Sequence, residues 1–430
     1  MTEIIDYILH FLLGETVFAD VKTQIGYTDK REDFNQYKLV IIPSLFFESN
    51  CYGSKKLLPQ LPLDNWEGTP LLFGTPETEQ FGDTLILHAD IIASTYFLIS
   101  RYEETVNPLR DNHGRFSGKE SLPFKADFLH RPIVDEYGKS LREVLRNIGF
   151  DIPEPPATIR KIYLTHDVDK LVHYRNFRSV AGAILRLQNT KTALKTYFGG
   201  IEHDPWYTFP WMFGLNKSLQ NKLGNDICQT IAFIKSGGGE QPEDQPISDV
   251  FSKDFQTLFK FCRDENVIFG LHPSYEAGEQ PELIQQEKQL LEKAVSTQIY
   301  YSRHHFLRSR EPRDMQALID AGITDDFTMG YADAAGFRLG TSHPVRWINP
   351  ETKQLTSLIL HPLTVMDSTL SDERYMALSE KEAHDYCIQL IEETKRHNGD
   401  LTLLWHNTSV EKGVSYQRGL YERLIEYLKK

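Results

Sequence analysis

From Thr158 to the C-terminus, short apolar runs alternate with longer amphipathic ones, and no other feature narrows the possible folds as much. The runs at 162–165, 227–234, 267–271, 298–301, 324–328, 358–360 and 401–404 have the length and composition of strands. Those at 251–266, 281–296, 311–321 and 380–397 read as helices between several of them. Strands separated by helices are joined by crossovers rather than hairpins, so the pattern predicts a parallel sheet. In a barrel of parallel strands, side chains just past the C-terminal strand ends share one mouth. Here those positions are polar: Asp167 and Asp169, His272, Arg303 with His304 and His305, Asp325 and Asp326, His361, and His406. The stretch 173–211 reads as a long insertion over that mouth, and 236–246, rich in Gly, Pro and Glu, as an exposed, mobile loop.

The first of these strands carries the sharpest signal. It ends in two carboxylates separated by Val168, and the two-residue period of a strand turns Asp167 and Asp169 to one side. Like charges this close raise each other's proton affinity unless a metal ion, an arginine or a substrate proton separates their roles. One acid is then available to bind a cation and the other to act as a base. The plainer alternative is that both cap the segment that follows.

At 430 residues the chain exceeds what a single core usually holds, so two domains are expected, 1–150 and 157–430, joined by the proline-rich connector 151–156. The first is expected to be a smaller α/β domain. Helical periodicity at Ile4, Ile5, Ile8 and Leu12 gives way to a strand at 38–43 and a buried helix at 91–102, and a helix at 136–148 ends at Gly149. The polar clusters at 100–104 and 131–137 read as salt bridges and domain contacts. With 60 acidic and 47 basic residues the net charge is -13, which argues against nucleic acid as a partner. The one basic stretch, 175–195, reads as a solvated helix face or a contact for an anionic substrate group. The four cysteines are scattered, no basic region precedes the apolar stretch 4–13, and no run reaches the ~20 apolar residues of a membrane helix. The expectation is a cytoplasmic protein with no membrane span.

Five segments in order, Thr165-His166-Asp167-Val168-Asp169, Gly270-Leu271-His272-Pro273-Ser274, Ser302-Arg303-His304-His305-Phe306, Gly336-Phe337-Arg338-Leu339-Gly340-Thr341 and Leu403-Leu404-Trp405-His406-Asn407, resemble the five motif regions of the polysaccharide deacetylase superfamily, also called carbohydrate esterase family 4. The resemblance runs from about Ile159 to the C-terminus. Residues 1–150 are similar, more loosely, to an accessory domain that precedes such catalytic domains in some bacterial proteins. The resemblance implies an irregular (β/α)7-type barrel and a metal-dependent hydrolase. Its reaction would remove an acetyl group from an amino sugar or glycan intermediate, in cell-envelope polysaccharide metabolism. The implied substrate is a carbohydrate and the implied cofactor a divalent metal, zinc first, with cobalt or nickel as alternatives. Asp167 would be the base, Arg303 the partner that keeps it ionised, and His406 the acid. Asp169 and His272 would be metal ligands, with Arg338, Trp405 and Asp333 on the substrate side.

The sequence departs from the family pattern in three places. Val168 separates acids that are usually adjacent, Glu276 stands where a second histidine of the second motif is usual, and His304 and His305 follow Arg303 in a third motif without its proline. An ion on Asp169 and His272 alone lacks the third protein ligand of a catalytic site. Alternation turns Arg303 and His305 to the side of Asp167 and His304 to the other, which favours His305 over Glu276 as that ligand. The contrasting expectation is a degenerate, metal-free barrel that binds carbohydrate without hydrolysing it, with His305 hydrogen-bonded directly to Asp167 or Asp169.

Overall fold

The computed structural model describes residues 2–48, 51–187 and 189–430. In the N-terminal part the strands are β1 (Ile25–Tyr27), β2 (Leu39–Ile41), β3 (Asp64–Trp66), β4 (Thr69–Leu71), β5 (Gly74–Phe81) and β6 (Thr84–Ala89). They form a sheet of order β1-β2-β6-β5, parallel except for β5, and a separate β3-β4 pair. The helix expected at 91–102 runs Ile91–Ile99 and is buried along its whole length. Asp90 caps it, accepting from Ala93 N at 2.9 Å. It stops because Arg101 takes a left-handed backbone (φ 55°), after which Tyr102–Val106 begins a new helix.

The second part contains β7 (Lys161–Val168), β8 (Cys228–Ile234), β9 (Ile268–Leu271), β10 (Tyr301–Ser302), β11 (Asp325–Met329), β12 (Val345–Ile348), β13 (Leu355–Pro362), β14 (Val365–Met366) and β15 (Asp400–Leu404). They make one curled nine-stranded sheet, order β12-β13-β11-β10-β9-β8-β7-β15-β14, parallel except for the edge strand β12. Its two ends meet in one stretch of chain: β13 pairs with β11, and β14, only Leu363 and Thr364 further on, pairs with β15. The interior is filled by Tyr163, Ile231, Phe233 and Phe327, so it is a packed core with no channel. Helices cover the outside, including Lys253–Asp264, Leu283–Val295 and Glu380–Arg396 where the periodicity places them, and Phe209–Leu223 and Gln417–Leu428, which it did not single out.

One buried apolar cluster extends from Ile4 to Ile425 and takes in residues of both parts. Polar contacts along the same seam are dense. Arg338 makes a bidentate pair with Glu104 (Nε–Oε1 2.9 Å, Nη2–Oε2 2.6 Å), Asp333 accepts from Gly118 N at 2.7 Å and from the Ser117 hydroxyl, and Asp135 accepts from Ser342 N at 2.8 Å and from the Thr341 hydroxyl. Gly340 has φ +67°, and a Cβ there would stand 2.7 Å from Leu98 Cδ1, so the left-handed backbone and the close approach both favour glycine. All four cysteines are unpaired and three are buried. Among the described residues, no helix is long and apolar enough to cross a membrane.

Candidate active site

At the C-terminal ends of β7, β9, β10, β14 and β15 is a cavity of about 270 Å³. Asp167 and Asp169 both line it, as the strand period requires, and neither serves as a helix cap. The two carboxylates have different surroundings. Asp167 is buried and accepts from Arg303 Nη1 at 3.0 Å through Oδ1, leaving Oδ2 turned to the cavity, 3.8 Å from His272 Nε2 and 4.0 Å from His406 Nε2. Arg303 is fully buried over the ring of Phe233 (4.5 Å) and is also held by Thr165 Oγ1 (2.8 Å) and the Phe327 carbonyl (3.1 Å). A cation pinned on three sides fixes the carboxylate it holds.

Asp169 faces two imidazoles. His272 Nε2 is 3.1 Å and His305 Nε2 3.4 Å from Asp169 Oδ1. Burial opposes the charge of Asp169, but His305, His272 and His406 hold its pKa well below the usual carboxylate range. Each ring is oriented from behind. His272 Nδ1 donates to the Arg303 carbonyl at 2.5 Å, which leaves Nε2 as the nitrogen turned to Asp169. His305 Nδ1 faces Asp244 Oδ1 at 3.5 Å. Asp244 is itself fixed by the backbone N–H groups of Tyr275 (2.8 Å), Glu276 (3.0 Å) and Gly239 (3.1 Å). Burial works against its charge too, yet His305 and these donors bring its pKa down to about 2. Carboxylate behind histidine, with the far nitrogen aimed inward, is the arrangement that prepares imidazole for a metal. The three inner ligand atoms lie within 4.8 Å of one another.

On the other side of the cavity, His406 Nδ1 is 2.8 Å from Asp367 Oδ1, and its backbone N–H donates to Oδ2 at 2.8 Å. Its Nε2 lies 3.7 Å from Asp169 Oδ2. Burial alone would strip this ring of its proton; Asp367, with Asp169 and Asp167, pushes its pKa up to about 10. The rest of the lining includes Phe306, Leu307, Met366, Ser368, Arg374, Tyr375 and Thr408, and from the N-terminal part Arg115.

Asp167, Asp169, His272, Arg303 and His406, taken from the motif segments, come together at this cavity, and His305, favoured by alternation, lies beside them. His304 points away, its Nδ1 3.9 Å from Asp326. The other expected positions lie elsewhere. Arg338 and Asp333 are in the seam, tied to Glu104 and to Ser117 and Gly118, and are not available to a substrate in the cavity. Trp405 is fully buried, packed on Tyr421 (5.2 Å) and donating to the Gln417 carbonyl at 3.3 Å, because its side chain faces the helix layer where the next residue faces the mouth. Glu276 is turned toward Gly239 and Gln280 and lies outside the ligand cluster. Asp325 and Asp326 open β11 rather than follow it, and His361 is inside β13, paired with Asp325 at 2.8 Å and stacked on Phe327. The loop expected to be exposed contains Ser236 and Asp244, both buried. Asp244 and Asp367 were not singled out from sequence. Asp367 does end a short apolar pair, Val365-Met366, but two residues are too few to read as a strand.

Among known proteins, residues 1–149 match a family model described as a family of unknown function, DUF7033. No curated protein matches the chain. Several solved structures resemble it distantly. A protein assigned as a polysaccharide deacetylase from Mycobacterium smegmatis has 12% identity and a TM-score of 0.41, covering 65% of this chain and 86% of that one. An allantoinase has 10% identity and a TM-score of 0.38, over 65% and 89%. A CE4 family pseudoenzyme from Bacillus anthracis has 12% identity and a TM-score of 0.33, over 65% and 63%. Likenesses this distant transfer no activity to the chain.

Proposed function

We propose that this protein is a metal-dependent hydrolase that removes an acetyl group from an amino sugar or glycan intermediate, residues 157–430 carrying the site and residues 1–150 supporting it. The observation that carries the reading is the convergence of three built pairs on one cavity: Asp167 with Arg303, His305 with Asp244, and His406 with Asp367. Asp169, His272 and His305 fit a divalent ion, because one carboxylate and two histidines, the outer nitrogen of His272 donating to the Arg303 carbonyl and that of His305 facing Asp244, offer three donors and leave open positions. Zinc suits that set best, with cobalt or nickel as substitutes. An ion bound there would polarise the acyl carbonyl and lower the pKa of the attacking water.

The chain's own groups handle the protons. Asp167, paired with Arg303 through Oδ1, accepts the proton of the water through its free Oδ2 as the water oxygen bonds to the acyl carbon. His406 gives its Nε2 proton to the nitrogen as the C–N bond breaks, so acetate and a free amine leave, and Asp367 holds the ring in place throughout. Tyr375, Leu307 and Arg374 are positioned at the cavity for the sugar, the part expected of Arg338, Trp405 and Asp333. A place in cytoplasmic cell-envelope glycan metabolism belongs to the same reading.

The test is acetate release from N-acetylated amino sugars by chelator-stripped and zinc-reloaded protein. The reading requires activity only after reloading, and a loss of about 10²–10⁴-fold in Asp167→Asn. Metal-loaded protein that binds the sugars and releases no acetate would replace the hydrolase with the non-hydrolysing carbohydrate binder.

A further inference from the structure

The insertion that follows β7 has a surface unlike the rest of the molecule. It forms two short helices, Phe177–Leu185 and Thr190–Phe198. What they bury is small, Val180 and Ala183 from one and Ala193 and Thr196 from the other. What they leave in solvent is large. Leu187, Leu185, Phe198 and Phe177 are 88, 84, 80 and 75% exposed, and with three neighbours they make up seven of the seventeen large apolar side chains exposed among the described residues. An ordinary surface scatters such residues singly, and a helix in a globular protein turns them inward.

The charge on this surface is equally one-sided. No Asp or Glu occurs from Arg175 to Gly200, in a chain of net charge -13. Arg175 is committed to Asp254 at 2.6 Å, but Arg178, Arg186, Lys191 and Lys195 are exposed with no ion-pair partner among the described residues. A solvated helix face normally mixes both signs. Large apolar side chains flanked by cations, on helices too short to span a bilayer, suit the interface of an anionic membrane, the apolar groups entering the acyl boundary and the cations meeting the headgroups. A second copy of the same face is disfavoured, because it would set like charges against each other.

We propose that this helical hairpin docks the protein on an anionic lipid surface. Its root lies beside the candidate site: the Asp204 carboxylate accepts from the N–H groups of His173 and Tyr174 at 3.0 and 2.9 Å, and Asn407, next to His406, donates to the carbonyls of Lys170 and Trp206 at 2.9 and 2.8 Å. Docking would hold the cavity near headgroup level. The inference does not depend on the hydrolase reading.

The experiment is co-sedimentation of the full chain with vesicles of phosphatidylcholine and with vesicles of equal parts phosphatidylcholine and phosphatidylglycerol. The wild type should pellet with the anionic vesicles, less so at high salt, and not with the neutral ones. Leu185→Ser/Leu187→Ser/Phe198→Ser should lower the partition coefficient by at least about tenfold, since each lost apolar group weakens insertion. Arg178→Gln/Arg186→Gln/Lys191→Gln/Lys195→Gln should weaken binding and flatten its salt dependence. All seven side chains are exposed, and unchanged thermal unfolding checks that each variant is folded. Wild type that stays in the supernatant with both vesicle types overturns the proposal. So does unchanged binding by the triple variant, or a concentration-dependent dimer that the triple variant abolishes.

Discussion

Asp167 and Arg303 are buried together, and among the described residues each is the other's only formal counter-ion at hydrogen-bonding distance. Removing one partner of such a pair costs about 3–5 kcal/mol, because the remaining charge is stranded. Arg303→Met should lose that much in chemical denaturation, and adding Asp167→Asn should recover part of it; strictly additive losses would mean the pair is not coupled. His406 and Asp367 form a second unit. Asp367→Asn should reduce turnover of an N-acetyl substrate more than that of an activated ester, whose leaving group needs no proton; equal losses would assign Asp367 a purely structural part. Asp326 gives a pH signature. Burial raises its pKa to about 6, above an ordinary carboxylate near 4, so between these values the folded state binds more protons than the unfolded one. Stability from this group is therefore greatest below about pH 4 and falls as pH rises to about 6. Asp326→Asn should remove that slope from the stability-pH curve, and an unchanged slope would refute the assignment.

At the level of elements, the turn that carries His305 is the one that needs support. Phe306 and Leu307 both have left-handed backbones (φ 61° and 52°), a conformation costing roughly 1–3 kcal/mol per residue. Hydrogen bonds hold it: His305 N donates to the Pro273 carbonyl at 3.0 Å and Arg115 Nη1 to the Phe306 carbonyl at 3.0 Å. Beside it, Arg308 Nε donates to the His113 carbonyl at 2.7 Å. The loop of the N-terminal part thus braces the turn that carries His305. Arg115→Met should weaken zinc binding about 10–100-fold with little change in unfolding, whereas unaltered affinity would show that the turn holds itself. Seven of the nine strands of the curled sheet were legible in sequence because burial on both faces leaves continuous apolar runs, and the polar residues after β7, β9, β10 and β15 located the mouth. Asp367 was not legible, because β14 is two residues long and its partner β15 is remote in sequence. The β5-β6 hairpin was missed for another reason: β5 is mostly exposed, so Thr78, Glu79 and Gln80 show no apolar alternation.

For the whole molecule, the segment Gly336 to Thr341 shows why motif order alone misassigns roles. It matches a motif position, but Arg338 and Gly340 serve the seam with Glu104 and Leu98. Glu104→Gln should therefore destabilise the full chain by about 3–5 kcal/mol while leaving metal affinity nearly intact, since it strands a buried guanidinium away from the cavity. We propose that Asp169, His272 and His305 form one metal centre. Calorimetric titration of the chelator-stripped full chain with zinc, beside His305→Ala and Glu276→Ala, tests it directly. One ion per chain is expected for wild type and Glu276→Ala, and affinity lower by at least about 10²-fold in His305→Ala, in which one of the three donors is gone. Full affinity in His305→Ala, or no zinc bound by the wild type, would contradict it.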